Sequence, residues 1–337
     1  MTADGGVRRV LVLAGGLSFE RDVSLRSGRR VAEALRSVGV EVDERDVDAG
    51  LLAHLAEHPP DAVFIALHGG PGEDGAVRGV LDLAGVPYAG AAPHACRMAF
   101  DKPTAKALVR AAGLHTPDWV TLPHETFREL GAHAVLDRLV ERIPGPLVVK
   151  PARGGSALGM TVVHRADQLP AAMVHCFAYG DTALIERFVA GTEVAVSVVE
   201  DAGGSAEALP AVEIVPKDGV FDYAARYTAG ATDYHVPARL DAEAARSAAA
   251  VAGAAHRALG LRDLSRTDLV VDSDGTPWFL EVNVSPGMTE TSLLPMAAAG
   301  GGRDLGELCR TALERAVARG RSEAESGPAG SHRAGQA

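Results

Sequence analysis

Lysine is almost missing from this chain. The positive charge is carried by arginine, and the lysines are Lys102, Lys106, Lys150 and Lys217. In so arginine-biased a composition, a retained lysine marks a place that needs a compact point charge, as phosphate sites do. Positive charge is also short as a whole: 33 Lys and Arg stand against 44 Asp and Glu, a net charge of −11. Nucleic acid is thereby set aside as a main partner, because that binding is driven by neutralising phosphates. No apolar run approaches membrane-spanning length, and the N-terminus lacks the apolar core of a signal peptide. The expectation is a cytoplasmic protein with no membrane partner. Cys96, Cys176 and Cys309 are odd in number, far apart and without metal-ligand spacing, which reads as buried small residues in a reducing compartment. The histidines form no HExxH pattern, Gly15-Gly16 is not a GxGxxG fingerprint, and the glycine loop after Lys150 is not a Walker loop because the lysine precedes the glycines, so a zinc site and a dinucleotide site at the first strand have no support.

What is present is a soluble globular composition, 47% apolar and 23% charged over 337 residues, enough for two or three domains. Val7 to Gly16 reads as a buried strand ending in glycines, and Ser24 to Leu35 has helical periodicity. This is a doubly wound α/β start. Glu20 follows the strand's carboxyl end, where ligands bind in such sheets. A second strand, Asp61 to Leu67, enters the glycine-rich acidic loop His68-Gly-Gly-Pro-Gly-Glu-Asp-Gly75, then a helix from Val77 to Ala84 and a short strand near Val86.

Asp101 to Ala112 is a helix carrying Lys102 and Lys106. Pro144 to Lys150 is a strand ending in lysine, followed by Pro151-Ala-Arg-Gly-Gly-Ser-Ala-Leu-Gly-Met160, a glycine loop able to close over phosphates with backbone N–H groups. Ala183 to Glu193 is extended, with Glu186 and Glu193 around a segment able to meet a purine edge and ribose hydroxyls. Its other reading is an ordinary edge strand. Residues 221–237 show neither helical nor strand period, and a loop of that length in a compact protein is usually functional, so it reads as a lid.

Leu264 to Met288 reads as a β-hairpin turning at Asp274-Gly275, a strong two-residue turn signal. Counting outward from that turn sets Asp268 opposite Glu281 and Arg266 opposite Asn283. Alternation puts these four on one face and turns Leu269, Val271, Leu280 and Val282 away. Facing carboxylates repel, so the pair needs a counter-charge, and a hard cation such as Mg²⁺ fits. A solvated charged face is the other reading. Beyond it, Ser285 to Pro295 holds a Pro-Gly turn and a helix start at Thr289 to Ser292, a seat for an anionic group.

Together GGLSFERDVSL, LHGGPGEDG, DKPTAK, VVKPARGGSALGM, IERFVAGTE, DYAARYTAGATDY, SRTDL and EVNVSPGMTETSLLP resemble the D-alanine–D-alanine ligases of the ATP-grasp superfamily, from about Val7 to Ala318. The resemblance implies an N-terminal α/β substrate domain (1–96) and central and C-terminal ATP-grasp subdomains (97–186 and 187–318), and the Ser, Gly, Ala and charge of the remainder (319–337) read as a disordered tail. The resemblance also implies a peptidoglycan-precursor enzyme that phosphorylates one D-alanine with ATP and lets the amine of a second attack the acyl phosphate. Lys102 and Lys150 resemble the phosphate ligands, Glu186, Phe188, Val189 and Glu193 the adenosine contacts, and Asp268, Glu281 and Asn283 the ligands of two Mg²⁺ or Mn²⁺ ions. Glu20 and His68 are expected at the first substrate, with Glu20 linked through Ser156 to Tyr227 on the lid. Arg266 and the Gly287 N–H are expected at the oxyanion, and Ser292 with Leu293 at the second carboxylate. A homodimer is implied. Arg226 stands where the lid usually has Lys before its tyrosine, and Ala157 where a second Ser is common. Tyr227 speaks against a D-alanyl–D-lactate product, because ester-forming relatives place His there. A non-catalytic nucleotide-binding regulator is disfavoured, since a pure binder needs no oxyanion donors.

Overall fold

The computed structural model describes residues 6–217, 226, 228 and 230–325. Of the expected lid (221–237), Tyr227 together with residues 221–225 and 229 lies outside them. β1 (Arg9–Leu13), α1 (Arg21–Ser37), β2 (Glu41–Arg45), α2 (Leu51–Glu57), β3 (Ala62–Ile65) and α3 (Ala76–Ala84) alternate. Their strands form a parallel sheet in the order β2-β1-β3, and β1 from Val10 onward and all of β3 are apolar because helices cover both faces. The short strand expected near Val86 is a single parallel bridge from Tyr88 to Val63.

α4 (Pro93–Phe100) and α5 (Lys102–Ala111) follow, and Asp101 caps α5 by accepting the Thr104 N–H. The sequence assigns α5 to the central unit. Its buried Ala105 and Val109 instead join Val194, Val196, Leu269 and Phe279 in the core under the C-terminal sheet.

The central unit comprises β4 (Trp119–Pro123), α6 (His124–Leu130), α7 (Ala132–Arg142), β5 (Leu147–Pro151), β6 (Thr161–Val163), α8 (Leu169–Phe177) and β7 (Thr182–Arg187). Its antiparallel sheet runs β4-β7-β5-β6. The C-terminal unit comprises β8 (Thr192–Glu200), β9 (Ala206–Ala208), β10 (Val212–Pro216), β11 (Thr232–His235), α9 (Ala242–Ala258), β12 (Leu264–Val271) and β13 (Pro277–Asn283). Its sheet runs β11-β10-β8-β12-β13, with β9 beside β8. β12, buried along its whole length, lies between β8 and β13. Ala244, Ala248, Ala252 and Ala255 recur at helical spacing on α9 and bring it against this sheet.

The chain then returns to its beginning. α10 (Leu293–Gly300) and α11 (Leu305–Glu325) share a core with Val10, Val12, Val31 and Leu35. Gly306 permits this approach, since a Cβ there would lie 2.3 Å from the Ala34 carbonyl oxygen. The tail expected from 319 is therefore helical as far as Glu325, and Arg319 explains part of that. Its guanidinium meets both oxygens of buried Asp263 at 2.6 Å, and Asp263 also accepts the Gly90 N–H at 2.7 Å. Asp263, immediately before β12 and three residues before Arg266, is thereby tied to the N-terminal domain.

Candidate active site

β12 and β13 pair as the sequence predicts at the functional positions, with Arg266 opposite Asn283 and Asp268 opposite Glu281. The cause is different. The hairpin closes through Ser273, Asp274 and Gly275, with the Asp272 N–H donating to the Thr276 carbonyl at 3.1 Å. Gly275 takes the left-handed position at φ +79°. Asp272 shapes this loop: its Oδ1 accepts the Asp274 and Thr276 N–H groups and its Oδ2 the Trp278 indole. Leu269 consequently pairs with Phe279, one residue off the two-residue-turn register, and a bulge next to Asp268 restores it. The offsets cancel. Because the bulge falls at Leu280, both Leu280 and Glu281 line the cleft, whereas alternation alone turned Leu280 away.

The counter-charge comes first from the protein. Arg266 forks onto Asp268 at 2.7 and 2.9 Å, and Lys102 Nζ lies 3.5 Å from Glu281. Burial pushes the Glu281 pKa up, but Lys102, Lys150, Arg226 and Arg266 outweigh it and hold it at about 2. Asn283 Oδ1 accepts the Ser285 N–H at 2.7 Å, which orients the amide and leaves one lone pair. Two carboxylates and an amide oxygen form the all-oxygen donor set that suits a hard divalent cation.

Three of the four lysines converge here. Buried Glu186 meets Lys150 at 2.6 Å and Lys106 at 2.7 Å. Burial would raise the Glu186 pKa, yet Lys150 and Lys106 carry it below the ordinary value. Burial likewise opposes the charge on Lys150, but Glu186 and Glu281 leave its pKa raised. On Lys106 burial wins and lowers it to about 8. Lys217 is apart, exposed, and 3.8 Å from Asp233. The cleft over Lys150 and Glu186 has an apolar end at Val148, Val162, Phe188 and Leu280, with Val189 beside it. Glu193 lines the same cleft, where burial raises its pKa to about 7 against the pull of Arg226.

A second chamber is lined by Glu20, His68, Glu73, Ser156, Arg266, Gly287, Ser292 and Leu293. Two glycine loops close on Glu20: a Cβ at Gly69 would lie 2.5 Å from its carboxylate and one at Gly155 3.2 Å. Ser156 holds φ +54° and donates a short hydrogen bond to Glu20, a conformation that costs roughly 1–2 kcal/mol for a non-glycine residue and concentrates at functional sites. Ser292 Oγ accepts the Thr289 N–H at 2.9 Å, and Ser292 is the N-cap of α10. His68 lines the chamber and engages both ring nitrogens within the protein. Its Nδ1 lies 3.1 Å from the Ser285 carbonyl and its Nε2 2.8 Å from Ser27 Oγ, which itself accepts the Met288 N–H. Burial, with Arg266 nearby, lowers its pKa to about 4. Neutral His68 thus donates to Ser285, accepts from Ser27, and braces the 285–288 loop with both nitrogens committed.

Lys102, Gly154, Gly155, Arg226 and Glu281 line both chambers, so the two meet there. Sequence reasoning named every residue at that junction or its loop, but gave no role to Glu73, Lys106 or Leu280. Glu73 had a signal in its acidic glycine-rich loop, Lys106 in the scarcity of lysine, and Leu280 none, since a bulge is invisible to alternation.

Residues 43–91 match the family described as D-ala D-ala ligase N-terminus and residues 108–314 the one described as D-ala D-ala ligase C-terminus. The D-alanine–D-alanine ligase of Anaeromyxobacter sp. (strain Fw109-5) is 44% identical over 310 residues, covering 92% of this chain and 97% of that protein. A crystal structure of Bacillus anthracis D-alanine–D-alanine ligase complexed with ATP matches with a TM-score of 0.76 at 29% identity, covering 94% of this chain and 99% of that one. The VanG D-Ala:D-Ser ligase of Enterococcus faecalis matches with a TM-score of 0.78 at 27% identity, over 92% and 99%. By sequence along most of its length, and by fold, this chain belongs to the D-alanine–D-alanine ligase family.

Proposed function

We propose that the chain joins two D-alanines into D-alanyl-D-alanine at the expense of ATP, supplying a peptidoglycan precursor. The observation that carries the site assignment is the meeting of the two chambers at Lys102, Arg226 and Glu281. A γ-phosphate from one side can there reach a carboxylate from the other. The base lies between Phe188, Val189 and Leu280 with Glu186 at its edge, Glu193 takes the ribose, and Lys102, Lys150 and Arg226 take the phosphates. Glu20 receives the ammonium of the first D-alanine, held by Ser156. The carboxylate oxygen of this first D-alanine attacks the γ-phosphorus, ADP leaves, and a D-alanyl phosphate forms. The free amine of the second D-alanine, whose carboxylate rests on Ser292 and Leu293, attacks the acyl carbon. Arg266 and the Gly287 N–H take the charge that develops on the carbonyl oxygen, and phosphate departs with the amine proton released. Closure against water protects the acyl phosphate, and Tyr227 is assigned to that closure.

Asp268, Glu281 and Asn283 would hold Mg²⁺ or Mn²⁺, which when bound supplies charge neutralisation at the phosphates; Arg266 must then release Asp268. Among the described residues no helix is long and apolar enough to cross a membrane. Cytoplasmic residence, where ATP is available, and a homodimer complete the reading. The test is ADP release and product analysis with D-alanine alone and with D-serine or D-lactate as competing acceptors. D-alanine-dependent ADP release with D-alanyl-D-alanine as the main product is expected. ADP release without D-alanine, or an ester as main product, would refute it.

A further inference from the structure

Lys106 is a retained lysine to which the reaction gives no task. Its side chain is fully buried. Glu186 Oε2 lies 2.7 Å from the ammonium, Thr116 Oγ1 accepts from it at 2.6 Å, and the Trp119 ring centroid is 5.2 Å away. Thr116 passes its own hydroxyl hydrogen to the Phe279 main-chain oxygen at 2.8 Å, while the Phe279 N–H donates to the His115 carbonyl at 2.8 Å. Lysine only donates and threonine has one hydrogen, so this chain of bonds has a single polarity and a fixed geometry. It runs from β7 of the central sheet, through α5, to β13 of the C-terminal sheet beside the bulge that turns Leu280 and Glu281 into the cleft. A buried ion pair is a costly way to gain stability alone. Here it spans the two walls of one cleft.

We propose that Lys106 and Thr116 are positioning residues for the nucleotide. They form a strut that sets the distance from Glu186 on one wall to Leu280 and Glu281 on the other, and so the width of the slot for the base. This rests on the reading of that cleft as the ATP site. Thr116→Val removes the hydroxyl at similar shape and severs both bonds of the strut while leaving Lys106 on Glu186.

The experiment is calorimetric titration of a non-hydrolysable ATP analogue into wild type, Thr116→Val, Thr116→Ser, Glu186→Gln and the Thr116→Val/Glu186→Gln double variant, with KM for D-alanine measured in parallel. Thr116→Val is expected to bind the analogue about tenfold more weakly, the loss of one charge-linked hydrogen-bond path. Thr116→Ser restores binding, KM for D-alanine stays within about twofold, and Thr116→Val adds nothing to Glu186→Gln, because contacts in one network are not additive. Lys106→Met, which keeps the stem, gives an independent reading: weaker binding that again adds nothing to Glu186→Gln. Full analogue binding by Thr116→Val, additive losses in the double variant, or equal losses for analogue and D-alanine would overturn the strut. A wild-type protein that binds no analogue would remove the ATP reading as well, whereas tight wild-type binding with an unaffected Thr116→Val would remove the strut alone.

Discussion

Glu73 shares the amino-acid chamber with Glu20 and is 6% exposed. Burial first, and the Glu20 carboxylate second, push its pKa from 4.5 to about 8 against the Gly69 N–H, Arg266 and Lys102. The folded protein therefore keeps a proton that the unfolded chain releases above pH 4.5. Stability from this group is complete below that value, falls as pH rises toward 8, and is level beyond. The slope is about 1.4 kcal/mol per pH unit, with an upper bound of about 5 kcal/mol over the window. Glu73→Gln has the shape and the donor of the protonated acid and cannot ionise. It should match wild type near pH 5 and exceed it by about 2–4 kcal/mol at pH 8.5, roughly 3–6 °C in melting temperature for a chain of this size. Scanning calorimetry of the ligand-free protein from pH 5 to 9 at constant ionic strength reads this directly. Glu193, whose pKa burial raises to about 7, contributes the same sign in both proteins and cancels in the difference. Parallel stability–pH curves for the two proteins would refute the reasoning.

Glu281→Gln tests the hairpin in two ways. With the Glu281 pKa held at about 2 among its cations, its stabilisation is present above pH 4.5 and lost as pH falls toward 2. The variant should thus lose about 1–3 kcal/mol of ligand-free stability at pH 7, together with turnover reduced by roughly a hundredfold or more. Wild-type turnover at equal Mg²⁺ concentration would remove Glu281 from the reacting centre. Lys150→Ala should raise KM for ATP by roughly tenfold through loss of a charge-assisted contact, whereas Lys217→Ala should change it by less than about twofold because its exposed pair with Asp233 is weak. Equal effects in steady-state kinetics would show that lysine scarcity carries no positional information.

Much of this protein was legible in one dimension because its functional residues sit in local patterns. Glycine loops after strands, a strand ending in Lys150, and a carboxylate-bearing hairpin each announce themselves through spacing and residue type. The scarcity of lysine marked Lys102, Lys106 and Lys150, which meet within one cluster of carboxylates. Asp268 and Glu281 were paired by counting from a turn that does not form, and the pairing holds because a bulge compensates. Alternation cannot register an inserted residue, so Leu280 was turned the wrong way. Tertiary packing alone decided three further matters. The apolar face of α5, like that of α4 before it, serves the C-terminal core, although β4, the next element, serves the central one. The last helix returns to the N-terminal domain and anchors Asp263 through Arg319. Both nitrogens of His68 are claimed by Ser27 and by the Ser285 carbonyl, 217 residues distant in sequence. Periodicity shows that a face is apolar and composition shows that a charge is rare; which surface meets that face, and which partner meets that charge, depends on contacts between distant segments that exist only when the chain is folded.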